Sequence, residues 1–388
     1  MFSLSKRIKK LPPYLFAKID REKQEFRRKG RELIDLSIGD PDLLAPEEAV
    51  AALCKSSKIK ENQKYALDAG RESLRKAIQA WVRKRFKVSV NPGKEILPLS
   101  GSKEGLVHFP LSFVNPSDYV IIPNPGYPGY RGAAVLSGAR VYEIALLEKN
   151  DFLPDLKKIP LSVRNRSKVI YLNYPNNPTT ALAPKSFLEG LVKFASKYGI
   201  IIVYDNAYSE VYFDEKPYSI LQVKGAKEVS IEFHSLSKTF CMTGFRIGFA
   251  LGRSELINGL LKVKANIDSG IFGAVQACAE TALEKCGYFP ERLRKIIRGR
   301  RDLFVKILYQ SGFEKLFFDS TFYVWAGLPK MYKPSIQFSR HLLKEKGIAV
   351  APGIGFGRYG EGYIRFALTV NENILRKVGR ILAMGQER

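Results

Sequence analysis

The chain is poor in the residues that staple or metallate a fold. Four cysteines (Cys54, Cys241, Cys278, Cys286) and three histidines (His108, His234, His341) are scattered through 388 residues. With no Cys-x-x-Cys pair and no histidine cluster, neither a zinc site nor a disulfide framework is expected, and a reducing cytoplasm fits best. Long hydrophobic runs are also missing. Stretches such as 200–204 are far too short to span a bilayer, so no membrane contact is expected. The basic start, Met1 to Lys10, is followed by no apolar core or small-residue cleavage site, which argues against secretion.

Acidic residues are scarce beside basic ones, 38 against 63, giving a net charge of +25. Such an excess fits either a basic face for nucleic acid or a solvated surface with some attraction for small anions. The clusters Arg83-Lys84-Arg85 and 292–301 fall in amphipathic helical contexts, and no nucleic-acid-binding motif accompanies them. The solvated surface is therefore the expectation, with no nucleic-acid partner.

What is present is a chain 45% apolar and 26% charged, long enough for a large core and two lobes. Its middle alternates short β-rich runs with helical patterns. Strands are expected at 95–99, 119–123, 140–145, 168–173, 200–205, 229–234 and 247–251, with helices at 102–114 and 184–198. Several of these runs are continuously apolar rather than alternating, as in strands covered on both faces, so the sheet should be largely parallel. Helices are expected at 72–86 and 291–310. Strands at 321–326 and 363–368 belong to a smaller α+β lobe, and the glycine-rich stretch 352–357 marks a loop before the last of them. There is no internal repeat and no low-complexity linker.

In open α/β sheets, ligands collect at the carboxyl ends of the strands. Four segments place unusual chemistry there. Ser100-Gly101-Ser102-Lys103-Glu104-Gly105 opens a helix, whose free N–H groups and dipole favour an anion; alone, such a segment is more often just an N-cap. Asn173-Tyr174-Pro175-Asn176-Asn177-Pro178-Thr179 is a rigid turn that can aim an amide, or a plain surface turn. Tyr204-Asp205-Asn206-Ala207-Tyr208 ends the most hydrophobic strand on a carboxylate. That charge is costly to bury without a cationic or hydrogen-bonding partner, unless Asp205 merely caps the next helix. Ser235-Leu236-Ser237-Lys238 delivers two hydroxyls and an amine, and Arg246 follows in Gly244-Phe245-Arg246-Ile247-Gly248. A partly desolvated lysine loses its proton readily and becomes a Schiff-base nucleophile, and an arginine can grip a phosphate with two parallel bonds.

Together and in this order, the segments resemble those of the class I/II aminotransferases, the fold-type I family of pyridoxal-phosphate enzymes, over essentially the whole chain. Ser235 to Gly248 is similar to the family's cofactor-attachment signature, with Cys241 where a small or amide residue is more usual. Asn173 to Thr179 resembles its Asn-Pro-x-Asn-Pro-Thr-Gly segment, with Thr180 in place of the glycine. The resemblance implies a large α/β domain, built on a mostly parallel seven-stranded sheet sandwiched by helices, plus a smaller α+β domain. The expected boundaries are 1–45 for an N-terminal arm and part of the small domain, 46–285 for the large domain, and 286–388 for the small C-terminal domain.

The same resemblance implies roles. Lys238 holds the cofactor as a Schiff base and, once freed, shuttles the proton of the substrate Cα. Asp205 pairs with the ring nitrogen, Tyr208 and Asn177 bond the phenolic oxygen, and Tyr127 stacks on the ring. Gly101, Ser102, Ser235 and Arg246 hold the phosphate; Ser237 and Lys103 are also cofactor contacts, Lys103 through its backbone more than its charge. Tyr65 reaches the phosphate of a neighbouring subunit, which implies a homodimer with shared sites. Arg365 grips the α-carboxylate, and Gly39 belongs to a segment that closes over the substrate; Asn177 also faces it.

Five stretches further resemble one subgroup, the bacterial LL-diaminopimelate aminotransferases: Leu11 to Phe16, Gly101 to Gly105, Asn173 to Pro178, Phe233 to Lys238, and Asn266 to Gly270. That implies amino transfer between LL-diaminopimelate and 2-oxoglutarate in lysine and cell-wall synthesis. Alternatives are an aspartate, alanine, aromatic or N-acyl-diaminopimelate aminotransferase, or a C–S β-lyase sharing the same lysine. A third class, an aminotransferase-like DNA-binding regulator, would need a winged-helix segment for which there is no room before Leu36.

Overall fold

The computed structural model describes residues 2–11, 15–329, 332 and 334–383; of the N-terminal segment Leu11 to Phe16, Pro12, Pro13 and Tyr14 lie outside these. Seven strands form the main sheet: β1 (Ile96–Leu99), β2 (Tyr119–Asn124), β3 (Arg140–Ala145), β4 (Ser167–Asn173), β5 (Ile201–Asp205), β6 (Ser230–Ser235) and β7 (Gly248–Gly252). Their spatial order is β1-β7-β6-β5-β4-β2-β3. All neighbours run parallel except β7, which is antiparallel to both β1 and β6. The central strands are apolar on both faces because both are covered: Val169, Ile170, Tyr171, Leu172, Ile202 and Val203 have no exposure.

The reversal of β7 has a chemical consequence. A parallel strand would need a crossover from one end of the sheet to the other. Running backwards, β7 instead keeps residues 236–247 at the carboxyl end, so Lys238 and Arg246 stay beside the ends of β4 and β5.

One helix, α1 (Ser102–Phe113), follows β1 directly and packs Phe109 edge-on against Phe233, centroids 6.4 Å apart. The second lobe is an antiparallel sheet of β8 (Leu316–Phe317), β9 (Tyr323–Gly327), β10 (Ala351–Pro352) and β11 (Tyr363–Ala367), in the order β10-β11-β9-β8. The long helix α2 (Phe289–Gln310) covers it through Phe304, whose ring sits 5.4 Å from that of Phe366. Between the lobes runs residues 36–42. This strap is stitched to the second lobe by Leu36 N–H to Ala349 O (2.8 Å) and Ala367 N–H to Leu36 O (2.8 Å).

The turn after β4 carries Thr180 where glycine is usual, and Thr180 adopts the left-handed conformation, φ 67°. That costs a residue with a Cβ about 1–2 kcal/mol. The side chain helps to offset it, since Thr180 Oγ1 accepts the Asp319 N–H at 3.2 Å, beside the backbone Thr180 O that accepts the Ser320 hydroxyl at 2.5 Å. A glycine there would turn more freely but could not accept the side-chain bond that joins the lobes.

Candidate active site

Because β1, β2, β4, β5 and β6 all finish at one edge, their polar termini converge. The walls of a single cleft of about 390 Å³ include Gly39, Ser102, Lys103, Tyr127, Asn177, Asp205, Tyr208, Ser235, Ser237, Lys238, Arg246 and Arg365. Gly101 stands directly behind, since a Cβ there would lie 2.4 Å from the Arg246 guanidinium. Tyr65 alone among the expected site residues is elsewhere, 92% exposed at the protein surface.

At the anion end, α1 begins with Gly101 at φ 81°. The N–H groups of Ser102 and Lys103, which open it, have no acceptor one turn back in the helix. Backbone approaches closely here: a Cβ on Gly248 would lie 2.8 Å from Ser102 N. Arg246 is braced by a bond to Thr243 O at 2.9 Å, and the hydroxyls of Ser235 and Ser237 open onto the same space. A helix N-terminus, a guanidinium and two hydroxyls are what a phosphate requires.

Asp205 lies at the end of β5, buried. Burial pushes its carboxyl up to about 6, while the Tyr130 hydroxyl and the Ala207 N–H pull the other way. Tyr130 donates to Oδ2 at 2.6 Å and Ala207 N–H to Oδ1 at 3.3 Å. Lys238 projects from the four-residue helix Leu236–Thr239, and its Nζ donates to Gly39 O at 2.7 Å. Burial brings its amine down to about 8; Asp40 opposes this, and Arg365 and Arg246 add to it.

Arg365 comes from β11 and is 5% exposed. It donates to Asn177 Oδ1 and to Ser37 O, each at 2.7 Å, and lies over the rings of Tyr323 (4.1 Å) and Phe356 (4.8 Å). Among the described residues its Nε has no partner, and no carboxylate pairs with it. A buried guanidinium facing a cleft with a donor to spare is a site for an incoming carboxylate. Its bond to the Asn177 oxygen leaves the amide N–H groups of Asn177 as donors.

These observations place an amine of lowered pKa, a buried carboxylate, a helix N-terminus beside a guanidinium and two hydroxyls, and a second, buried guanidinium in one cleft. Residues 31–381 match the family "aminotransferase class I and II". The chain belongs to the class I and II aminotransferases. It is similar to LL-diaminopimelate aminotransferases of Aquifex aeolicus (49% identical, over 98% of this chain and 99% of the relative) and Nitratidesulfovibrio vulgaris strain Miyazaki F (46%, 98% and 98%). Among solved structures it is similar to substrate-bound BacF of Bacillus subtilis, with TM-score 0.97 at 33% identity over 100% of this chain and 98% of that one.

This aminotransferase is a pyridoxal-phosphate enzyme, and the cleft fits the cofactor. The anion site suits the phosphate, buried Asp205 needs a cationic partner such as a protonated ring nitrogen, and Lys238 is the amine within reach of both. Two contributors were missed in the sequence, Tyr130 and Tyr323. Tyr130 lies three residues after Tyr127 at the start of the helix Gly129–Leu136, a spacing that puts both on one side of the turn. Tyr323 lies on β9, paired with Ala367, and Trp325 is paired with Arg365. Tyr323 is thus the diagonal neighbour of Arg365 on the same face, which only the register reveals.

The strap sets a tight limit. A Cβ at Gly39 would fall 1.8 Å from Tyr323 Oη and 2.7 Å from its Cζ. Tyr323 is 2% exposed and bonded to Tyr208, so it cannot yield easily. Gly39→Ala is expected to displace the strap at a cost of about 1–3 kcal/mol, lowering kcat/KM about tenfold to a hundredfold. Cofactor affinity should be unchanged, which a cofactor titration beside steady-state kinetics checks.

Proposed function

We propose that this aminotransferase interconverts LL-diaminopimelate and tetrahydrodipicolinate, with glutamate and 2-oxoglutarate as the partner pair. The observation that carries this reading is the near full-length likeness, at almost half of all positions, to enzymes of that name. The cleft supports it with the Arg365 guanidinium, which can take an α-carboxylate, and with Asp20 among its lining residues, a charged group of the kind the far end of a long diamino acid can meet.

Pyridoxal phosphate, bound here, supplies the electron sink for breaking the bond between the substrate Cα and its proton. On this reading Gly101, Ser102, Ser235, Ser237 and Arg246 hold the phosphate. Asp205, kept anionic and aimed by Tyr130, pairs with the ring nitrogen. Tyr127 faces the ring, and Tyr208 and Asn177 donate toward its phenolic oxygen. Arg365 fixes the α-carboxylate and so orients the Cα–H bond toward Lys238. Lys238 Nζ, neutral in a useful fraction because its amine sits near 8, takes that proton and returns one. The Gly39 strap covers the site and keeps water from it. Residues 46–285 form the cofactor-holding domain, and 1–45 with 286–388 carry the strap and Arg365. The free thiols of Cys54, Cys241, Cys278 and Cys286 suit the cytoplasm.

A half-reaction screen tests the substrate. LL-diaminopimelate should convert the cofactor's absorption to that of its amine form faster than meso-diaminopimelate, N-succinyl-diaminopimelate, aspartate or alanine do. Conversion only by another member of the panel reassigns the substrate, and release of pyruvate and ammonia instead reassigns the reaction.

The homodimer belongs to the same proposal. Tyr65 and Leu67 are 92% and 75% exposed, and Tyr65 lines one surface groove with Ala66 and the half-exposed Phe272. A second copy is what such a surface fits, placing Tyr65 at the partner's phosphate site. Mixing Tyr65→Phe chains with Lys238→Ala chains, each feeble alone, should restore activity, because the mixed dimer contains one intact site. No recovery on mixing would refute sharing.

A further inference from the structure

We propose that Tyr323 is a positioning residue for amino transfer, holding Tyr208, Arg365 and the Gly39 strap in a single arrangement. This rests on the roles given above to Tyr208 and Arg365. Three contacts converge on the one side chain. Its Oη lies 2.9 Å from Tyr208 Oη, its ring lies under the Arg365 guanidinium at 4.1 Å, and its hydroxyl occupies the space that the missing Gly39 side chain leaves. The ring is fixed in turn, against Phe322 (4.9 Å) and by the bond from Tyr323 N–H to Thr321 Oγ1 (3.2 Å). Each contact belongs to a different part of the site: the partner of the cofactor's phenolic oxygen, the substrate clamp, and the cover.

Proton counting gives the bond between the tyrosines a direction. Each hydroxyl has one proton, and only one can lie between them. Burial pushes the Tyr208 hydroxyl well above its usual range, so Tyr208 remains a protonated donor. When that proton points into the cleft, the bridging one must come from Tyr323. Accepting it polarises the Tyr208 O–H and makes Tyr208 the stronger donor, because consecutive hydrogen bonds reinforce one another. The ring has a separate duty, as the floor on which the planar guanidinium lies when a carboxylate arrives.

Two substitutions separate these duties. Tyr323→Phe keeps the ring and removes the hydroxyl. The pH midpoint at which the absorption of the lysine-bound cofactor changes should rise by about half a unit, with kcat lowered about threefold to tenfold and KM for the amino acid within about twofold. Tyr323→Leu removes the ring too, and should raise that KM about tenfold as well. Tyr208→Phe is titrated alongside, and the double variant Tyr208→Phe/Tyr323→Phe should show no midpoint shift beyond that of Tyr208→Phe alone. An unshifted midpoint in Tyr323→Phe, with a shift in Tyr208→Phe, overturns the inference and leaves the reading of Tyr208 intact. No shift in Tyr208→Phe overturns that reading and the inference with it.

Discussion

Lys238→Ala is expected to lower amino transfer by at least about 10⁴-fold, because in the proposed reaction one side chain supplies both the covalent hold on the cofactor and the proton transfer at the substrate Cα. The geometry leaves no substitute. Among the cleft's other cations, Arg246 and Arg365 carry guanidinium groups, which form no Schiff base, and Lys103 lies in the first turn of α1 at the anion end. The variant should still bind pyridoxal phosphate through the anion site and Asp205, but release it on dialysis and lack the absorption of lysine-bound cofactor. Turnover near the wild-type rate would remove Lys238 from the chemistry altogether. The wild-type amine has its own pH signature: only the neutral form attacks, so the rate at which apoenzyme captures cofactor should climb with pH and level off above about 8.

The same lowered pKa makes a stability statement with a definite sign. The folded amine titrates near 8 and the unfolded one near 10.5, so the unfolded chain binds more protons between those values. Burying the charge therefore destabilises the apoenzyme fully below about pH 8, and the penalty fades as pH rises toward 10.5. Lys238→Met keeps similar packing volume without the charge. Its apo form should melt above wild type at pH 7, by a margin that shrinks in alkaline buffer. A margin that grows with pH would mean that the amine is not desolvated in the folded protein.

Arg365→Ala should raise KM for both amino acid and 2-oxo acid, and lower kcat/KM about 10²–10³-fold, since removing one partner of a buried charged pair costs roughly 2–5 kcal/mol. Cofactor affinity should change little, because the anion site and Asp205 are built from other elements. Asn177 makes the outcome informative. Its Oδ1 bond to Arg365 holds the amide in place, so the variant frees an amide beside the proposed phenolic-oxygen position. A modest change in the cofactor's absorption is therefore expected together with the loss of substrate affinity. Lost cofactor with unaltered KM would transfer Arg365 from the substrate to the cofactor.

Much of this molecule was legible before folding, and for a local reason. Strands buried on both faces must be apolar throughout, so β4 and β5 announced themselves as uninterrupted runs, and the polar residues that end them marked the edge where chemistry collects. The helix at 72–86 could be placed to the residue from its amphipathic pattern. The proposed phosphate-binding turn, Asp205 and the Lys238–Arg246 segment are each contiguous, so their composition displays their chemistry. The direction of β7 was not legible, because an apolar run reads alike in either sense.

The remainder depends on residues far apart in the chain. Tyr130 meets Asp205 across 75 positions, Tyr323 meets Tyr208 across 115, and Arg365 meets Asn177 across 188. No periodicity reports such pairs, because side chains at these separations meet only through strand order and register. Composition and local pattern determined the sheet, the turns at its edge and the kinds of group they present. The tertiary structure alone decided which of those groups share a proton, how far burial shifts them, and that the strap at Gly39 has no room for a single additional carbon.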